Sequence, residues 1–203
     1  VSSETRVVAP AGPGAARIVT EVFAPAVWAA AMPVVVALHA TAPAWLTGLG
    51  WALLAMLFSA VVPYGIIWLG VRRGRLTDHH IGVREQRRAP LVGGLFSVLA
   101  GIAALVLLGA PRALVAMVVV MFAVLLVVTA VNQVWKLSAH AAVAAGAVGV
   151  LVVVFGPALL VAFGLVALIG WSRVRLGDHT TAQVLAGGVA GVLVGVPTYL
   201  LLG

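Results

Sequence analysis

Residues 113–131 read A-L-V-A-M-V-V-V-M-F-A-V-L-L-V-V-T-A-V, without a single charge. As a helix this run rises ~28 Å, close to the ~30 Å hydrocarbon thickness of a bilayer. In lipid, a chain that crosses as a helix satisfies every backbone N–H and C=O within itself. The run decides the fold because it is not alone. Working outward from it, comparable apolar stretches are expected as helices at about 18–40, 45–71, 91–109, 138–155, 157–170 and 179–202. Mean hydropathy is +1.22, and hydrophobic residues make up 64% of the chain against 8% charged. A water-soluble domain would need far more charge to cover its surface. The expectation is an all-α, polytopic transmembrane helix bundle of six to seven membrane-spanning helices. It forms a single domain over 18–203, behind a flexible tail at 1–17 that lacks the charged-then-apolar order of a signal peptide.

Punctuation refines this layout. Pro33 is expected to kink the first helix. The sixth helix is short, ~21 Å, and is expected to run on into the next loop with its arginines snorkelling. Gly187, Gly191 and Gly195 recur every four residues on the last helix, and Ala142-Gly146 and Ala145-Gly149 on the fifth. Such stripes let two backbones approach closely, and packing is the role expected of them.

Composition also excludes function classes. With no cysteine, disulfides, thiolate metal sites and cysteine nucleophiles are impossible. The net charge of +7 sits in loops, which suits anionic headgroups or phosphorylated substrates. Nucleic acid is not an expected partner, because no extended basic soluble face is present.

The polar residues gather in three islands: V-R-R-G-R-L-T-D-H-H-I-G-V-R-E-Q-R-R-A-P (71–90), N-Q-V-W-K-L-S-A-H (132–140) and W-S-R-V-R-L-G-D-H-T-T-A-Q (171–183). A charge at mid-membrane costs ~2.5–3.5 kcal/mol, so such islands mark a surface and a site. Two expected helices separate the first island from the second, and two more the second from the third. All three therefore converge on one membrane face. His39 falls on the other, as an interfacial residue. With the residues wanted for chemistry discounted, Arg6, Arg17, Arg72, Arg73, Arg75 and Arg175 remain on the island face against Arg112 opposite. The positive-inside rule then puts the N-terminus and the site on the cytoplasmic face of the plasma membrane.

Several arginines and two histidines from separate loops suit phosphoryl transfer without a metal. Arginine forks hold phosphate oxygens, one neutral histidine attacks phosphorus, and another protonates the leaving oxygen. A metal is not expected. His79, His80, Asp78, Asp178 and His179 lack ligand spacing, and the neighbouring arginines would repel a cation. Asp78 is expected to pair with loop arginines. Magnesium-dependent prenyl transfer would need aspartate pairs that the chain lacks.

The spacing is more specific still. Ser172-Arg173, five residues, then His179 matches S-R-x5-H; Ser138-Ala139-His140 stands for the end of P-S-G-H, with Leu137 and Ala139 in place of Pro and Gly; and Arg84 to Pro90, without the lysine, stands where K-x6-R-P is expected. In this order, over about residues 78–187, the chain resembles the type-2 phosphatidic acid phosphatase superfamily of membrane lipid phosphatases, as a divergent bacterial member. The resemblance implies His179 as nucleophile through a phosphohistidine and His140 as proton donor to the leaving group. It implies Arg173 and one or more of Arg84, Arg87 and Arg88 as the phosphate clamp. Ser138 and the N–H groups opening the fifth helix would add donors, with Lys136 as an extra contact. No cofactor is implied; the partners are membrane lipids and a lipid-phosphate substrate. The pattern departs where the family has aspartate four residues after its nucleophile. Here Gln183 stands, able to accept the His179 ring N–H and fix its tautomer, but not to supply charge. A non-catalytic phospholipid-binding descendant is therefore the alternative. The Ala-, Val-, Gly- and Arg-rich composition suits a high-GC bacterium, and polyprenyl-phosphate-linked envelope intermediates suit the site.

Overall fold

The computed structural model describes residues 14–79, 81 and 83–203, with Arg84 described by its backbone alone. Residues 1–13 of the expected tail, and His80, lie outside the described residues. Among the described residues all regular structure is helical. In order come α1 (Gly14–Val22), α2 (Pro25–Thr41), α3 (Trp45–Met56), a π turn (Leu57–Val61) and α4 (Val62–Arg72). A 3₁₀ turn (Arg84–Arg87), α5 (Arg88–Leu107), α6 (Arg112–Val131) and α7 (Ala139–Phe155) follow. A second 3₁₀ turn (Pro157–Ala162), α8 (Phe163–Arg175) and α9 (Thr181–Leu202) complete the chain.

Five rods are long and apolar enough to cross a membrane: Trp45–Arg72, Glu85–Leu107, α6, Pro157–Arg175 and α9. The pair α1 and α2, bent by 41°, makes a sixth. At 17 residues α7 is shorter, but it is the buried centre of the bundle rather than a lipid-facing wall.

Two expectations for the N-terminal region are corrected. The first helix is two helices, because Pro25 cannot continue the hydrogen-bonding of a preceding helix and forces Ala24 into extended backbone (φ −60°, ψ 150°). The helix also begins at Gly14, so residues 14–17 are not tail. Ala16 and Thr20, one turn apart, form its buried face, and α1 packs on α8. Helix α2 continues through Pro33, and the break in the chain's first apolar stretch lies at Ala24–Pro25.

The tightest packing joins α7 to α9. A Cβ at Gly187 would stand 2.6 Å from the Ser138 carbonyl oxygen, and one at Gly191 would collide with the Ala142 carbonyl. Gly195 lies against Gly146 in the same way. Only hydrogen side chains allow this approach, and it fixes the start of α7 beside the start of α9. The three polar loops gather at that end. At the opposite end Arg112 donates from Nε to the Leu202 carbonyl (2.7 Å), and the His39 ring meets Phe155 edge-on at 4.8 Å.

Candidate functional site

The spacing between Arg173 and His179 has a local physical cause. Helix α8 ends in a Schellman turn, with Gly177 in left-handed backbone (φ 72°). The Gly177 N–H donates to the Val174 carbonyl (3.0 Å) and the Asp178 N–H to the Arg173 carbonyl (3.1 Å). The His179 N–H reaches the same Arg173 carbonyl at 3.3 Å. The chain thus folds back on the arginine before α9 begins. Contrary to the snorkelling expected of both arginines, Arg173 is only 2% exposed, while Arg175 is exposed. The Arg173 Nη2 pairs with Asp178 Oδ2 at 3.0 Å, Nη1 donates to Thr20 Oγ1 at 3.3 Å, and Nε is buried without a partner among the described residues.

Helix α9 opens with a capping box. Gln183 N–H donates to Thr180 Oγ1 (3.3 Å), and Thr180 N–H donates to Gln183 Oε1 (3.1 Å). A backbone N–H can only donate, so this end of the Gln183 amide is its oxygen. The same oxygen lies 3.2 Å from His179 Nδ1. Nδ1 therefore carries the ring proton, and Nε2 carries the lone pair. Burial, then the charges of Arg173, Arg87 and Lys136, lower the His179 pKa from 6.5 to about 4, against a smaller raising effect of the Gln183 bond. At neutral pH the ring is an uncharged, oriented base.

His140 is placed by the other member of the tight pair. Ser138 is the N-cap of α7, its hydroxyl accepting the Ala141 N–H at 3.4 Å, and its own N–H donates to the Gln183 carbonyl at 3.3 Å. That last bond ties the second polar loop to the third. His140, one residue into the helix, is buried at 5% exposure. Ser138 has no exposure and is not among the residues lining the cavity that His140 and His179 share; its hydroxyl oxygen accepts the cap bond, which leaves its O–H as a donor.

From the first loop, Arg87 is the described arginine that lines the cavity. It lies at the end of the 3₁₀ turn, buried, with Nε donating to the Ile81 carbonyl (2.8 Å) and Nη1 to Asn132 Oδ1 (3.0 Å). Asn132 is held in turn by its own amide donating to the Val128 carbonyl at 2.8 Å. Ile81, a β-branched residue, sits in left-handed backbone (φ 50°), a conformation costing ~1–3 kcal/mol that surrounding structure must hold. Arg88 is exposed at the start of α5 and is not among the residues lining the cavity. The Arg84 side chain lies outside the described residues. Lys136 is half-buried and is not among the residues lining the cavity; burial, then the Arg87 charge, lowers its pKa.

Arg87, Asn132, His140, Arg173 and His179 line one end of a cavity of about 240 Å³, with His79 and Ile81 at its edge. The rest of the wall, drawn from α2, the π turn, α4, α5, α6 and α7, is apolar apart from Ser59 and Tyr64. His79 Nε2 meets Glu21 of α1 at 3.2 Å. Among the described residues no group of three or more His, Asp or Glu is placed to hold a metal. The arrangement is cationic, with two buried guanidinium groups and two buried imidazoles around one void. It suits an anion with an apolar body.

Sequence reasoning missed Asn132, Thr20 and Ile81. Thr20 bridges Arg173 and Ser172 (3.0 Å to Ser172 Oγ). Only its four-residue spacing from Ala16 signals a buried face of α1. The chain matches no family model, no curated protein and no solved structure.

Proposed function

We propose that this protein is an integral-membrane lipid phosphatase, resembling the type-2 phosphatidic acid phosphatase superfamily, that hydrolyses a lipid phosphate or diphosphate through a phosphohistidine. One observation carries the reading. Arg87, Arg173, His140 and a neutral, Nε2-lone-pair His179 stand together at the polar end of an otherwise mostly apolar cavity. In the proposed step His179 Nε2 forms a bond to phosphorus as the bond to the lipid oxygen breaks, and His140 gives that oxygen its proton. Water then attacks phosphorus, losing a proton to His140, and phosphate leaves with the electron pair of the N–P bond returned to His179. Arg87 and Arg173 stabilise the equatorial oxygens throughout. The substrate class proposed is a polyprenyl- or glycerolipid-linked phosphate. The site faces the cytoplasm, as the arginine distribution argues.

Phosphate release from polyprenyl phosphate and phosphatidic acid in nanodiscs tests this. Release abolished by His179→Ala, with an acid-labile phosphoenzyme in the parent, is the expected result. A second reading, a non-catalytic phospholipid binder, is favoured by the Asp178 carboxylate on Arg173 and by the uncharged Gln183. Binding of phosphate lipids without release across the panel would establish it and overturn the first.

A further inference from the structure

Beyond the histidines and arginines the cavity continues deep into the bundle, and its walls are stripes at helical spacing. Met117, Val120, Met121, Val124, Leu125 and Val128 of α6 all face it. Along α5 it runs from Pro90 to Val98, ~12 Å of helix rise. Met32, Val98 and Met117 lie at the far end, each 2% exposed, and close it off as a floor. Packed interiors hold few voids larger than a water, and an apolar void does not hold water well. Helix α2 packs on α3 and the π turn, and α4 packs on α5, with no comparable packing between α2 and α4. Trp28 on α2 and the exposed Tyr64 on α4 both line the cavity. π turns often sit at functional openings, because the extra residue bends the rod locally.

We infer that the cavity is a chain-measuring pocket: one alkyl or isoprenyl chain enters sideways from the bilayer between α2 and α4 and lies along α6 with its end against Met32, Val98 and Met117. This rests on the reading of the polar end as a phosphate site, and names what lies behind the phosphate. The bundle then selects a single chain of limited length, and a longer chain must leave its end in the portal. Gly94, halfway down the α5 wall, is the selecting position open to test. A Cβ there would meet Leu125 Cδ2 at 3.5 Å and Pro63 Cβ at 3.9 Å, ordinary contacts, so a larger side chain projects into the pocket without disturbing backbone.

The probe is decyl phosphate carrying a diazirine at its far end, photolysed on the full chain in phospholipid nanodiscs and mapped by mass spectrometry. Labelling concentrated at Met32, Val98 and Met117 is expected, with loss of that labelling in Gly94→Leu. Labelling confined to outward residues such as Phe96, Leu126 or Leu193 would overturn the pocket, whatever the variant does. A decyl trimethylammonium probe of the same chain separates the two readings. If it labels the floor as strongly, the pocket stands and the phosphate reading of the polar end fails. If phosphate release proceeds in the parent while neither probe reaches the floor, the phosphatase stands and the pocket fails.

Discussion

His179 Nδ1 and the Thr180 N–H converge on one amide oxygen, and the chemistry of the site follows from that sharing. Burial and the charges of Arg173, Arg87 and Lys136 hold the ring neutral with its pKa at about 4, the Gln183 bond only partly offsetting them, so for the proposed phosphatase the acid limb of activity is expected near pH 4 rather than 6.5. Gln183→Glu keeps both hydrogen bonds and adds charge. It should raise the ring pKa, move the acid limb up toward neutrality and increase turnover at pH 7, read from kcat–pH profiles. Gln183→Ala loses the orienting bond and should lower kcat ~10- to 100-fold. The same group affects stability. The folded pKa lies below the unfolded 6.5, so the unfolded chain binds more protons between pH 6.5 and 4. Melting temperature in detergent should therefore fall as pH drops through that window, and His179→Gln should flatten the dependence. Asn132 acts at the same scale through Arg87. Asn132→Leu removes a hydrogen bond to a charged group worth ~1.5–3 kcal/mol and should raise the inhibition constant of inorganic phosphate ~10-fold or more.

At the scale of elements, the site depends on how closely α7 and α9 approach. Gly191→Val would drive a side chain into the Ala142 backbone, part the two helix starts, and separate His140 from His179. The expected outcome is a lower melting temperature together with lost turnover, even though position 191 lies some three turns below the histidine. This is also where legibility divides. The glycine stripe could be read from sequence because its period is the helix's own. The R-x5-H spacing could be read too, because a Schellman turn plus an N-cap takes a fixed number of residues. Asn132, Thr20 and Ile81 could not, since each acts across a tertiary contact that leaves no periodic mark. Ser138 shows a related limit: a hydroxyl at a helix start can accept the cap bond from Ala141 and still donate, so its sequence position alone does not separate the two roles.

Across the whole molecule, the apolar runs made the bundle legible, while the Ala24–Pro25 break, a φ constraint, and the start of α1 at Gly14 altered its N-terminal layout. Convergence of the three loops followed from counting crossings, and the bonds from Arg87 to Asn132 and from Ser138 to Gln183 are its physical form. Orientation in the membrane remains a proposal with a clean test, because the chain has no cysteine of its own. A single cysteine from Gly74→Cys, in the first polar loop, should resist a membrane-impermeant maleimide on intact cells and react after permeabilisation. Labelling of intact cells would put the site on the outer face.

The shared Gln183 oxygen also supplies a built-in reporter. The Thr180 amide and the His179 ring draw on one acceptor, so anything that turns the ring over or takes its Nδ1 proton changes how strongly that amide is held. Deuterium uptake at Thr180 should therefore track the state of the ring. In the proposed phosphatase it should speed up when phosphorus becomes bonded to Nε2 and the imidazole tilts, which would give a turnover signal from a main-chain group.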